Sequence, residues 1–194
     1  MTCIKYNNII DVQYEPRDAV LPATLDEFKR HLNLQFDTEG GFEFNDDDTY
    51  LQAVLEAATV AVEKYTGVLL RDSDISAIIR NEKGGQQLPY GPVVSFTSML
   101  DCEGNTVDAA DYTISGLSWK TVTKPISSQL TTTYRAGYTA ATVPASLKMA
   151  VLHQGAFLYE SRGDQQQQYA SSEVAMSTSA QALANPYRRV LWLL

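Results

Sequence analysis

The chain has 194 residues, 44% of them apolar, and carries 15 basic against 23 acidic side chains for a net charge of −8. That length suits one domain or one domain with appendages, and no apolar run approaches the roughly 18 residues that a membrane-crossing helix needs. The acidic balance opposes gripping a phosphate backbone by counterion release, Cys3 and Cys102 are too few for a disulfide framework or a four-thiolate zinc site, and the first residues lack the basic and apolar segments of a secretory signal.

Within residues 1–23, the stretch from Ile9 to Tyr14 alternates roughly until Pro16 and Pro22 interrupt it, which predicts an N-terminal arm or edge strand. Thr24-Leu25-Asp26-Glu27 is a capping-box sequence, so a helix is expected over 24–34, with Leu25, Phe28 and Leu32 on one face and His31 beside them. Residues 33–48 contain Gly40-Gly41 and Asp46-Asp47-Asp48, the composition of a loop that leads into a helix N-terminus. Negative charge is favourable there. Leu51, Val54, Leu55, Ala58, Val62 and Tyr65 then keep helical spacing and predict a helix over 49–66, with Gly67 stopping it in a left-handed conformation.

After Gly67 the period changes to that of strands. Residues 75–80, 93–100, 111–115, 118–123 and 130–138 are rich in Val, Ile, Thr and aromatics, and Pro89, Gly91, Pro92, the cluster at 101–105, Gly116 and Pro125 supply the turns between them. An antiparallel β insertion is expected over 75–138. Pro144 suits a first helical turn and opens a helix over 144–162 whose apolar positions fall on more than one side, so it needs cover on several faces. Gly155 inside it costs ~1 kcal/mol relative to Ala and points to a close helix contact. Residues 163–178, with four consecutive glutamines, read as a flexible connector. A short helix over 179–184 stops before Asn185-Pro186, and the chain ends in a basic and then strongly apolar run.

The pattern as a whole predicts an α+β fold: mainly a helical bundle of three to four helices, with an inserted antiparallel β-hairpin region and an extended C-terminal tail. Its parts are an arm at 1–23, a body at 24–162, a connector at 163–178 and a tail at 179–194.

Chemistry is sparse. A serine or cysteine hydrolase needs a nearby base, and the two histidines, His31 and His153, sit in amphipathic helices where a core-edge or surface role accounts for them. Asp46, Asp47 and Asp48 lack the alternating ligands of a calcium loop and suit helix capping. The glycine pairs 40-41 and 84-85 have no phosphate-loop context. Asp101, Glu103, Asp108 and Asp111 fall in turns that normally carry such residues. Arg188-Arg189 before an apolar run suits a protein groove better than a phosphate track. No catalytic, cofactor-binding or metal residue is assigned, and no cofactor is expected.

Several segments in order resemble the head-tail connector (adaptor) family of tailed bacteriophages. They are 24–32 (Thr-Leu-Asp-Glu-Phe-Lys-Arg-His-Leu), the helix end 62–67 (Val-Glu-Lys-Tyr-Thr-Gly), 88–95 (Leu-Pro-Tyr-Gly-Pro-Val-Val-Ser), 134–138 (Tyr-Arg-Ala-Gly-Tyr), 143–148 (Val-Pro-Ala-Ser-Leu-Lys), 158–162 (Leu-Tyr-Glu-Ser-Arg) and 185–189 (Asn-Pro-Tyr-Arg-Arg). The resemblance implies a non-enzymatic virion subunit of the neck, made in the host cytoplasm, in a homo-oligomeric ring of about twelve copies beneath the portal. It implies a portal protein above, a stopper or tail-completion protein below, and genomic DNA passing through the channel without sequence-specific binding. It also implies portal docking by the C-terminus, here Pro186, Tyr187, Arg188, Arg189, Val190, Leu191, Trp192, Leu193 and Leu194. An apolar, arginine-flanked segment behind a flexible connector is suited to ordering on a partner, so deleting 185–194 is expected to abolish portal binding and leave the fold intact. Two other readings are another neck or tail-completion protein that binds the tail tube, and a small metal-dependent enzyme using Asp46, Asp47 and Asp48.

Overall fold

The computed structural model describes residues 9–17, 20–34, 47–81, 85–124, 128–161 and 176–189. The fold is α+β, and the chain divides into two compact units, one of Met1–Ala19 with Arg71–Tyr138 and one of Val20–Leu70 with Thr139–Leu194. The expected body at 24–162 is thus divided: its strands join the N-terminal arm, and its helices join the C-terminal segment.

The first unit is built on an antiparallel four-stranded sheet of order β1-β2-β7-β4. Its strands are β1 (Ile9–Pro16), β2 (Ser73–Asn81), β4 (Val93–Leu100) and β7 (Ser128–Ala136). The period-2 pattern of β2 is visible in its burial: Ile75, Ala77 and Ile79 are buried, whereas Asp74, Ser76 and Arg80 are exposed. On β7, Leu130, Thr132, Tyr134 and Ala136 are buried in the same way. Each fully buried Ile or Leu contributes roughly 1.5–3 kcal/mol relative to exposure. Polar atoms inside this layer are paired: Thr132 Oγ1 donates to the Ala77 carbonyl at 3.2 Å, and the Tyr134 hydroxyl accepts the Tyr90 N–H at 3.2 Å. At the end of the sheet Asp72 is clamped by Arg135, whose Nε donates to Oδ1 at 2.6 Å while Nη2 donates to Oδ2. That bidentate bond holds the Asp72 carboxyl below the usual carboxylate range, against the opposing effect of burial.

Both outer strands are irregular. β1 carries a register shift between Ile9 and Asp11, and the Asp11 carboxylate accepts the Val12 N–H at 2.9 Å. β4 is interrupted twice, between Val93 and Ser95 and between Phe96 and Ser98.

A second, three-stranded sheet has the order β3-β6-β5, from β3 (Gln86–Gln87), β5 (Thr113–Ser115) and β6 (Thr121–Thr123). β5 and β6 form a hairpin whose turn includes Gly116 at φ +101°, where a side chain would meet the Trp119 backbone. Hydrogen bonds from Leu88 N–H to the Lys120 carbonyl and from Val93 N–H to the Ser118 carbonyl tie the hairpin to the segment before β4.

Among its described residues the second unit holds four helices: α1 (Leu25–His31), α2 (Asp48–Thr66), α3 (Ala145–Glu160) and α4 (Thr178–Ala184). The capping box forms as the sequence predicts, with the Thr24 hydroxyl accepting the Glu27 N–H at 3.2 Å and the Glu27 carboxylate accepting the Thr24 N–H at 2.9 Å. α1 ends before residue 34 because the Leu32 N–H closes the last turn on Phe28 and Asn33 turns to φ +59°. Asn is among the few side chains that tolerate that region. α2 buries Leu51, Val54, Leu55, Ala58 and Val62, and Gly67 caps it at φ +73° with its N–H on the Glu63 carbonyl. The apolar stripe and the left-handed stop are those read from the sequence. Pro144 occupies the N-cap of α3 rather than its first turn.

α3 buries Leu147, Ala150, Val151, Leu152, Gln154 and Gly155, a spread wider than one stripe. Two ion pairs join the helices: Lys148 Nζ to Glu27 Oε1 at 2.6 Å, and Lys29 Nζ to Asp48 Oδ1 at 2.5 Å. Gln154 reaches α4, where its Oε1 accepts the Ser177 N–H at 2.9 Å, and Ser177 caps that helix by accepting the Ala180 N–H.

Candidate functional site

The nine tail residues assigned from the sequence separate into two groups. Pro186 lies in a 3-10 turn, Asn185–Tyr187, that directly follows α4, and Tyr187, Arg188 and Arg189 continue from it along the second unit. Val190, Leu191, Trp192, Leu193 and Leu194 lie outside the described residues, as do the glutamine run and the rest of 162–175.

The segment 185–189 is held by its own chain at four points. The Tyr65 hydroxyl donates to Asn185 Oδ1 at 2.6 Å, and the Arg188 guanidinium lies 4.9 Å from the centre of the Tyr65 ring. The Ser146 hydroxyl donates to the Tyr187 oxygen at 3.2 Å, and the Arg189 N–H donates to the Thr66 carbonyl at 2.8 Å. A guanidinium over a tyrosine face contributes about 0.5–1 kcal/mol at an exposed position, and each neutral hydrogen bond adds on the order of 1 kcal/mol. Thr66 is in the last turn of α2, where carbonyls have no partner within the helix. The Arg189 amide supplies one. Sequence reasoning took Pro186 through Leu194 as one detachable contact, because a basic and apolar composition does not reveal that Tyr65 and Ser146, over a hundred and about forty residues earlier, receive its first half.

The other candidates are placed as follows. Asp47 occupies the α2 N-cap without a side-chain cap bond, Asp48 is paired with Lys29, and Asp46 lies outside the described residues. Among the described residues no group of three or more His, Cys, Asp or Glu side chains is gathered as a metal site would require. Asp101 is a turn-former, accepting the N–H groups of Glu103 and Asn105 at 2.9 Å each, and Asp108 caps the 3-10 turn Ala109–Asp111 by accepting the Ala110 N–H. Cys102 is an exposed free thiol.

The structure brings His31 and His153 together, edge to face, with ring centres 4.9 Å apart. Burial lowers the His31 pKa from its ordinary value, and the charge of His153 lowers it further. A histidine with a depressed pKa in the folded state binds its proton more readily when unfolded, so its contribution is fully present above the unfolded value of about 6.5 and is lost as pH falls through the window below it. Urea midpoints at pH 7.5 and pH 5.5 are therefore expected to differ less in His31→Phe than in the parent chain. An unchanged difference would rule out the histidine pair as the source.

With the geometry of α1, α2 and the following strands in place, comparison with known proteins adds a family likeness over residues 22–96. Residues 22–96 match the phage gp6-like head-tail connector protein family. The match covers 75 of the 194 residues. It takes in α1, the whole of α2, β2, β3 and the start of β4, which includes the capping box and the Tyr65-Thr66-Gly67 stop. Among solved structures, a chain from the neck of an empty gene transfer agent particle, computed with C6 symmetry, shares the fold at TM-score 0.67 and 24% identity, over 93% of this chain and 98% of that one. A chain from the virion of the native particle matches at TM-score 0.66 and 24% identity over 92% and 97%, and one from the native neck computed with C12 symmetry at 0.63 and 23% over 93% and 98%. No curated protein matches the chain. Among the described residues no helix is long and apolar enough to cross a membrane.

Proposed function

We propose that the chain is a structural, non-enzymatic head-tail connector subunit in the neck of a phage-like particle, assembling as a homo-oligomeric ring between a portal protein and a stopper or tail-completion protein. The match of residues 22–96 to the connector family carries this reading. The fold likeness to chains of C6 and C12 necks supports the ring. A net charge of −8 suits a channel through which DNA passes without adhering. In this proposal residues 190–194 are the portal-docking peptide and residues 186–189 are its anchor. Fixing residues 186–189 in advance lowers the ordering cost of docking.

Two deletions test the division of labour. Removing 190–194 is expected to lower attachment to purified portal rings at least tenfold while leaving the melting temperature within about 1 °C, since the deletion spares the bonds from 185–189 to Tyr65, Ser146 and Thr66. Removing 185–194 is expected to lower attachment equally and also the melting temperature, because the bonds to Tyr65, Ser146 and Thr66 go with it. Unaltered portal attachment of the shorter deletion would end the tail assignment.

A further inference from the structure

A ring with twelvefold rotation and no other axis needs two different patches per subunit, one received by the other around the circle. We infer that the tip of the β5–β6 hairpin, led by Leu117, seats in the groove on the outer face of α2 of the next copy. This inference rests on the ring reading above.

Leu117 is 90% exposed, far beyond any other large apolar side chain among the described residues. It stands in a turn built to hold it out. Gly116 takes φ +101°, and Trp119 folds back so closely that a side chain at Gly91 would lie 2.9 Å from its ring. The tip is thereby braced from behind. All three residues of β5 are exposed, with Ile114 at 36%, so this strand is thinly covered by its own chain. A thinly covered strand leading to a bare leucine is costly to leave in water and inexpensive to cover with a neighbour.

The receiving surface is a shallow groove of about 530 Å³ on α2, lined by Ala53, Glu56, Ala57, Val60, Ala61 and Lys64. Its floor is alanine and valine, so a branched aliphatic side chain can approach the helix backbone. Local charge complementarity, not net charge, points to a second copy as occupant. Copies of net charge −8 repel one another, and their contact has to be apolar with local complementarity. The hairpin supplies a cation beside the leucine: Lys120 Nζ donates to the Gly116 carbonyl at 2.8 Å, which holds the ammonium at the turn. Glu56 lies on the groove. Leu117 on the alanine floor with Lys120 toward Glu56 puts an apolar contact and an opposite-charge contact in one small area. The heterologous pairing also leaves each copy with one free knob and one free groove until the circle closes.

Cysteine pairing on the full chain tests this. In a background with Cys3→Ser and Cys102→Ser, the double variant Leu117→Cys/Ala57→Cys is assembled with purified portal rings and oxidised mildly. The expected result is a covalent ladder of dimers, trimers and higher species. Each single variant alone should stay monomeric, and an equimolar mixture of the two should stop at dimers, because only a head-to-tail contact propagates. In a separate arm, Leu117→Asp with an unchanged melting temperature should lower ring yield at least tenfold in electron-microscopy projections. Rings that form normally with Leu117→Asp and give no ladder in the double variant overturn the contact and leave the ring reading standing. Absence of rings in the parent chain with portal present overturns the ring reading, and this inference with it.

Discussion

Gly137→Ala is expected to be the most damaging single-methyl change in the sheet unit, lowering stability by about 3 kcal/mol or more, out of the 5–15 kcal/mol that typically separates folded from unfolded chains. Gly137 follows β7 at φ +117° with its N–H on the Pro92 carbonyl at 2.9 Å. A Cβ there would collide with the Arg71 carbonyl oxygen and lie 2.8 Å from its carbon and 3.2 Å from Asp72 Cα. These are backbone atoms, and Arg71 leads into Asp72, the residue clamped by Arg135, so relief by movement would strain that bidentate bond. Gly104→Ala is the matched control. Gly104 has φ +86°, but nothing lies within 4 Å of a Cβ built on it, so only conformational strain of roughly 1–2 kcal/mol applies. Thermal or urea denaturation should separate the two by several degrees, and equal losses would show that backbone strain alone accounts for both.

Gly155→Val is expected to cost about 3 kcal/mol and Gly155→Ala about 1–2 kcal/mol, although alanine in an exposed helix interior would be a gain of ~1 kcal/mol. The reason is Phe28 of α1. Two of its ring carbons would lie 2.7 and 2.9 Å from a Cβ at residue 155, and the ring is fully buried with no room to turn away. Shortening the ring in Gly155→Ala/Phe28→Leu should recover part of the loss, which neither single change does alone. A Gly155→Ala variant more stable than the parent would refute the close contact.

Gly155 also marks how far sequence could be read. A glycine within an otherwise apolar helix announces a close neighbour, but not which one; Phe28 lies more than a hundred residues away. The same boundary recurs. The Thr24 box and the Gly67 stop were legible because their partners lie within four residues, and α2 because its stripe repeats on one helix. Alternation at 9–14 suggested an edge strand, yet its pairing with β2 is fixed by tertiary register, with Tyr14 opposite Ile75. β3 has two residues and carries no periodic signal. His31 and His153 each look like a core-edge histidine, and only the packing of α1 on α3 makes them a pair. The family resemblance drew on short segments in order, of which those within 22–96 fall inside the connector match. For the tail, composition pointed to a docking segment, whereas the anchoring by Tyr65, Ser146 and Thr66 depends on where α2 and α3 end.

The irregular outer strands of the four-stranded sheet bear on how such a subunit survives before it is used. A long regular strand border left unpaired would nucleate fibrils. Here one border has its Val12 amide occupied by Asp11 and the other is bent twice along its length. Both borders are thereby poor templates for strand-to-strand pairing between copies. In the proposed ring, contact between copies would then fall to side chains rather than to strand edges.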